Sequence, residues 1–295
     1  MKSADQMDSE EPGGVRMTAQ HPHENEPYWR SSISRVDPEK VFIRGYDLED
    51  LIGGVSFTSA SFLLIRGRLP SPRESRVLDA VLTAVLDYAL EKPGTAAARY
   101  VVSANPSMVA GLAAATMAVG KYTLATEDTA RFIVAAHADF LESGEALETF
   151  AANLAESMAA RKERIPGLGH PVFKKVDPRA AILRETAVRE GLWNGPALLY
   201  EAIHRAFTAR PGKADIPIND VGAMAAVLVA LGFTPEESTG LAVISTLPGV
   251  VAHISEELAH GKPLRIIPGE SVAYDVEAGK DFKADWKEAG WTPAS

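Results

Sequence analysis

Between Ser71 and Leu86 the large apolar residues fall at Val77, Leu78, Val81, Leu82, Val85 and Leu86, and the positions between them are polar or alanine. Steps of three and four place these residues on one stripe of an α-helix. Ser71-Pro72-Arg73-Glu74 opens that helix as a capping box with proline in the first turn, and Lys92-Pro93-Gly94 is expected to stop it. Asp47-Leu48-Glu49-Asp50 opens another helix carrying Leu51, Ile52 and Val55, and Asn105-Pro106-Ser107 starts an alanine-rich one that reaches Gly120. The same spacing predicts helices from Glu127 to Leu141, Gly144 to Lys162, Pro196 to Ala209 and Val221 to Leu231. Thr234-Pro235-Glu236-Glu237 caps a further one running towards His260, with a break expected at Pro248-Gly249. Strand patterns occur only at Val41-Phe42-Ile43-Arg44 and from Ser271 to Val276. The pattern predicts an all-α chain with few short strands.

Composition narrows the class. The chain has 295 residues, enough for a large core, with 46% apolar and 23% charged residues, as in ordinary globular proteins. A formal net charge of -9 argues against nucleic acid as a partner. No run reaches the roughly 18 uninterrupted apolar residues of a membrane span, so no membrane partner is expected. Cysteine is absent, which excludes disulfides, cysteine nucleophiles and thiolate metal sites and fits a reducing, cytoplasmic setting. Residues 1–27 are polar and rich in proline and glycine, and are expected to form a disordered leader.

The segment from Arg164 to Glu185, RIPGLGHPVFKKVDPRAAILRE, does not follow the helical pattern. Glycines let a ligand approach the backbone, successive free N–H groups can cradle an anion, and Lys174 and Lys175 offer charges suited to phosphates. Asp177-Pro178 makes an N-cap followed by a first-turn proline, which sets Arg179 in the opening turn of the next helix. His170 projects from the glycine loop beside that turn. Its residues alone allow two roles: a site group, or a histidine satisfied by backbone.

The run Gly-Leu-Gly-His-Pro-Val-Phe-Lys-Lys-Val-Asp-Pro-Arg-Ala, Gly167 to Ala180, resembles the signature loop of the citrate synthase superfamily, which includes citrate synthases and the shorter citryl-CoA lyases. The segments Ile43 to Ile52, Leu63 to Pro70 and Gly249 to Glu257 extend the resemblance over roughly Val41 to Ile267, and the length is closer to the short lyase-type members. The resemblance implies a citrate synthase-like two-domain helical fold. A large domain would comprise residues 28–122 and 232–295, with a small domain, 123–231, inserted between them, in a homodimer or higher homo-oligomer. It implies that an acyl-CoA and a small carboxylic acid are the ligands, with the CoA thioester as substrate and no permanently bound cofactor or metal. Ile165, Gly167, Gly169, Lys174 and Lys175, with Asn219 grouped beside them, would hold the CoA. His170 would hydrogen-bond the carbonyl or hydroxyl oxygen of the second substrate, and Arg179 would bind its carboxylate. The reaction so implied makes or breaks a carbon–carbon bond next to a thioester. An aspartate moves the proton alpha to the thioester carbonyl, and a donor stabilises the enolate oxygen.

Four positions depart from the family. Thr123, after Val119-Gly120, stands where the family has its enolate-stabilising histidine; it can donate a hydrogen bond without an imidazole's proton chemistry. The family's Asn-Val-Asp-Gly reads Asn219-Asp220-Val221-Gly222, so Asp220 is either the displaced base or a helix N-cap. Thr246 replaces an arginine that would anchor a second carboxylate, and Asp87-Tyr88-Ala89 replaces an Asp-His-Gly. Three accounts follow. The first is a lyase or condensing enzyme with a rebuilt site, taking a less anionic substrate with Tyr88, Tyr122 and Thr123 as substitute donors. The second is an acyl-CoA-binding protein without turnover. The third is a hydrolase or hydratase using His170 as base. Elsewhere His137 reads as a packed or half-exposed helix residue, His204 as surface or interface, and His253 as structural. Glu256-Glu257 reads as a solvated face, and His21 and His23 make no metal site.

Overall fold

The structure is a computed structural model describing residues 27–87 and 89–292, so the expected leader and Tyr88 lie outside the described residues. The chain divides into two compact units, Met1–Gly54 and Val55–Ser295. In the first, β1 (Ser34–Val36), β2 (Val41–Ile43) and β3 (Tyr46–Asp47) form an antiparallel meander, with Ser34 opposite Ile43 and Phe42 opposite Asp47. Asp47 then caps the single turn α1 (Leu48–Leu51), its carboxylate accepting from the Glu49 amide at 3.0 Å.

The second unit is helical: α2 (Phe57–Arg66), α3 (Pro72–Ala84), α4 (Pro93–Ala104), α5 (Met108–Met117), α6 (Thr126–Ser143), α7 (Leu147–Ala160), α8 (Pro178–Arg189), α9 (Pro196–Thr208), α10 (Asp220–Ala230), α11 (Pro235–His260) and α12 (Phe282–Glu288). The capping box expected at Ser71 is formed, and the cap expected at Thr234 is a capping box as well. At its centre lies α10, packed by α6, α8, α9, α11 and α3. Its residues Ala223 to Leu228 are essentially solvent-free, and the alanines among them let neighbouring helices come close. A helix buried all round carries its N-terminus into the interior, which fixes the surroundings of Asp220. A second, smaller cluster of Ala98, Val102, Ala115, Val250 and Ile254 joins α4, α5 and α11. There a Cβ on Gly111 would stand 2.7 Å from both Ile254 Cδ1 and Val102 Cγ2, so glycine permits the approach.

Four expectations are corrected. Lys92-Pro93 does not stop α3, which ends at Ala84; it opens α4, with Pro93 in the first turn where its missing N–H is harmless. The helix through Pro248-Gly249 is unbroken for 26 residues. Packing holds it there: Ser245 Oγ donates to Leu82 O at 2.7 Å and the Gly249 amide to Leu86 O at 3.0 Å, so that amide finds its partner outside the helix. By length and composition alone α11 could cross a membrane, but Leu241, Ala242, Val250 and Ile254 bury it in the core. Ser271 to Val276 forms no strand: it lies exposed and pairs with no strand among the described residues. Glu257 is not solvated: it is buried, with Arg99 Nε at 2.7 Å and Arg265 Nε at 2.6 Å on its carboxylate, while Glu256 meets Arg99 Nη1 at 2.7 Å.

Candidate active site

The glycine loop is laid against the N-terminus of α10 by backbone pairing. Leu168 and Ile218 form an antiparallel bridge, the Gly169 amide donates to Pro217 O at 2.7 Å, and the Asn219 amide donates to Gly167 O at 3.0 Å. Asn219, not Asp220, is the N-cap of α10: its Oδ1 accepts from the Gly222 amide at 2.9 Å, while its Nδ2 donates to Gly169 O at 2.8 Å. Both ends of its amide are therefore engaged in fastening the loop. Gly167 adopts φ +76°, and a Cβ there would come 2.6 Å from Gly222 Cα and 2.4 Å from the Tyr200 hydroxyl. That buried hydroxyl donates to Pro166 O at 2.7 Å. No side chain fits at Gly167, and the loop rests on the helix end backbone to backbone.

At this junction the guanidinium of Arg179 gathers three groups. Its Nε donates to Asp177 Oδ1 at 3.0 Å and its Nη2 to Asp177 Oδ2 at 2.8 Å, while Nη1 lies 2.9 Å from Asp220 Oδ2. Nη2 also stands 3.2 Å from His170 Nε2. On its far side the imidazole Nδ1 accepts from the Val172 and Phe173 amides, both at 3.1 Å. These bonds occupy the Nδ1 lone pair, so the proton of neutral His170 sits on Nε2. His170 Nε2–H and Arg179 Nη2 thus stand side by side, 3.2 Å apart. An incoming carbonyl or carboxylate oxygen would satisfy both.

Electrostatics separates the two carboxylates. Burial pushes the Asp177 carboxyl up, but the hydrogen bonds and charge of Arg179 and the amides of Arg179 and Asp220 outweigh it and hold the group below its ordinary range. For Asp220 burial dominates and raises the affinity for a proton; the Arg179 charge offsets this only in part, and the Asp177 charge adds to it. A carboxyl whose proton affinity is raised beside two nitrogen donors is equipped for proton transfer. His170, Asp177 and Asp220 have ligand atoms within 4.8 Å of one another, but the Arg179 guanidinium already supplies the cation among them.

The citrate synthase, C-terminal domain family matches residues 70–267. This chain belongs to the citrate synthase family. A citrate synthase-like protein of Aspergillus oryzae, oryE, is 30% identical over 80% of this chain and 53% of its own length. The chain spans about half the length of the curated citrate synthases it matches along most of its length. Among solved structures, citryl-CoA lyase from Hydrogenobacter thermophilus superposes with a TM-score of 0.80 at 31% identity, covering 88% of this chain and 100% of that one. The ATP citrate lyase of Methanosaeta concilii, solved with (3S)-citryl-CoA, shares the fold with a TM-score of 0.70 at 21% identity, over 87% of this chain and 43% of that one.

The remaining site residues of this citrate synthase family member are dispersed. Thr123 and Thr246 line one narrow, largely apolar recess with Thr95, Val119 and Val250, and none of the Arg179 cluster lines it. Thr246 Oγ1 is turned back to its own helix, donating to Val243 O at 2.9 Å. Tyr122 is 92% exposed and does not line that recess. Lys174 folds onto the loop, with Nζ donating to Pro171 O at 2.8 Å, whereas Lys175 lines a separate pocket with Arg184, Trp193 and His204. The side chain of Ile165 is buried in the core. His204, expected at the surface or an interface, is half-buried in the wall of that pocket; its Nε2 meets Ile216 O at 2.8 Å, and burial lowers its proton affinity. His137 is half-exposed near Phe140, and His253 Nε2 bonds Asp87 Oδ1 at 3.0 Å. The residue that pattern reading undervalued is Asp177. Its place in Asp-Pro-Arg shows a cap, and nothing in the spacing shows that it also bonds the amide of Asp220, 43 residues later.

Proposed function

We propose that this protein is a citryl-CoA lyase-type enzyme that cleaves a 3-hydroxy-3-carboxyacyl-CoA into acetyl-CoA and a 2-oxo acid. The observation that carries the reading is the pair of adjacent nitrogen donors, His170 Nε2 and Arg179 Nη2, 3.2 Å apart beside the buried Asp220. In cleavage the bond between the hydroxyl-bearing carbon and the acetyl methylene breaks and the hydroxyl oxygen becomes a carbonyl. The hydroxyl proton passes, in net terms, to the acetyl carbon. Arg179 would bind a substrate carboxylate bidentately, His170 would donate to the oxygen that changes from hydroxyl to carbonyl, and Asp220 would carry the proton. The glycine loop with Lys174 and Lys175 is read as the CoA site. Run in reverse, the same groups serve a Claisen condensation on a 2-oxo acid. His170 as a general base for hydrolysis is disfavoured, because Nδ1 is engaged by two amides and Nε2 carries the proton.

A second reading, acyl-CoA binding without turnover, is favoured by Thr123 and Thr246, which leave the recess they line without a cationic or imidazole donor from either position. Incubation with citryl-CoA decides between them: mass spectrometry should find acetyl-CoA and oxaloacetate. Binding of citryl-CoA with neither product would establish the second reading and end the first.

Residues 123–231 are read as the small domain and the flanks as the large one. We further read the active form as a homodimer. Helix α5 carries no charged residue yet leaves Val109 75% and Met117 85% exposed, and every described residue from Lys262 onward is exposed, Trp291 included. A single 31.5 kDa species in sedimentation at micromolar concentration would refute the dimer.

A further inference from the structure

Asp177 is the most heavily engaged side chain of the site. Its carboxylate is wholly buried and takes four donors: the Arg179 amide at 3.0 Å, Arg179 Nε at 3.0 Å, Arg179 Nη2 at 2.8 Å and the Asp220 amide at 3.1 Å. It thereby ties the first turns of α8 and α10 to each other and fixes one edge of the guanidinium. Asp220 meets the other end, with Oδ2 2.9 Å from Nη1. The two carboxylates hold Arg179 in unequal ways. Releasing Asp177 would orphan two backbone amides, that of Asp220 buried, and a two-pronged ion pair, whereas releasing Asp220 leaves both of these in place.

We propose that Asp177 is a positioning residue that holds the Nε–Nη2 edge of Arg179 permanently, so that Asp220 on Nη1 is the partner a substrate carboxylate displaces. The identity of that carboxylate rests on the lyase reading above; the unequal grip on Arg179 does not. The exchange gives the site an order of events. Without substrate, Asp220 is neutralised by Arg179. Once an incoming carboxylate takes Nη1, Asp220 stays buried but loses its counter-charge, and its hold on a proton rises. In the cleavage direction Asp220 takes the proton that the substrate hydroxyl gives up and hands it to the acetyl-CoA enolate carbon, so its stronger hold on a proton arises only when the substrate is seated. The charged and titratable groups facing Asp220 are Arg179 and Asp177 from α8 and His170 from the glycine loop.

The test follows the Asp220 carboxyl carbon by NMR in full-length protein labelled with [4-13C]aspartate, with Asp220→Asn giving the assignment. Oxaloacetate is the dicarboxylate probe. Adding it to the unaltered protein should raise the titration midpoint of Asp220 by about one pH unit or more. In Asp177→Asn the cap survives, since asparagine caps as well as aspartate. The like charge is gone, however, and Arg179 turns fully to Asp220. The midpoint should then fall by about one unit, and oxaloacetate should bind about tenfold more weakly. If Asp177 were only a cap, losing its charge would still lower the Asp220 midpoint, but oxaloacetate would bind as tightly as before, and that unchanged affinity overturns the proposal. Oxaloacetate that binds, seen at other aspartate signals, without moving Asp220 also overturns it and needs no variant. If oxaloacetate fails to bind at all, the lyase reading loses its product, and the Arg179 Nε–H signal still decides the role of Asp177: it should shift and exchange faster in Asp177→Asn, and an unchanged signal overturns the proposal.

Discussion

Replacing Arg179 with leucine is expected to destabilise the protein by about 3–5 kcal/mol, because it strands two buried carboxylates. The Asp177 side chain is 0% exposed and that of Asp220 7%, and their ligand atoms lie within 4.8 Å of each other. The loss should depend on pH with a definite sign. With Arg179 present, the Asp177 carboxyl lies below its ordinary value, so its stabilisation is complete above the unfolded-state value and fades as pH falls through the folded-state one. Asp220, raised by burial, works the other way: its contribution is greatest below its unfolded-state value and is lost as pH rises through the folded-state one. Without the guanidinium both carboxyls fall into the second class. Urea unfolding at pH 5 and pH 8 should therefore show the leucine variant losing more stability at pH 8, and a loss under about 1 kcal/mol at both would mean that Arg179 is not the internal counter-charge.

The second large effect concerns turnover. His170→Ala should lower cleavage of citryl-CoA by roughly 10²–10³-fold, the usual cost of removing a donor aimed at a developing oxyanion. CoA affinity should stay within a few-fold. The backbone pairs that seat the loop, Gly169 N on Pro217 O and Asn219 N on Gly167 O, do not involve the imidazole. The ring does hold the Val172 and Phe173 amides and lies 4.8 Å from the Phe173 ring, so the variant loop needs inspection by hydrogen exchange. His170→Gln separates the two roles, since its amide can still donate. Partial recovery in glutamine over alanine would assign the loss to the donor. Turnover of the alanine variant at the unaltered rate would remove His170 from the chemistry.

The linear sequence settled whatever depends on neighbours along the chain. The helical stripes of α3, α6, α9 and α10, the helix caps at Ser71 and Thr234, and the Asp177-Pro178 helix start are all short-range, set by spacing and by side chains that reach their own backbone. The loop from Gly167 to Ala180 was legible for the same reason, and its likeness to the citrate synthase superfamily gave the fold. Where a local signal competed with packing, packing won. Pro248 reads as a break, yet α11 passes through it because the carbonyls of Leu82 in α3 and Leu86 just beyond it accept from Ser245 and Gly249. Glu257 reads as solvated, yet Arg99, 158 residues away, and Arg265 enclose it.

Asp220 shows the division most clearly. Its order in Asn219-Asp220-Val221 left it as cap or base. Only the fold could decide, by giving the cap to Asn219 and driving the end of a fully buried helix against Arg179 and Asp177. Proton affinity is set by burial and by charges within a few ångströms, and those come from residues distant in sequence. The sequence by itself determined which chemical groups this protein carries and on which helix starts they stand. Tertiary structure alone decided which of them face one another and which carboxylate is left to hold a proton.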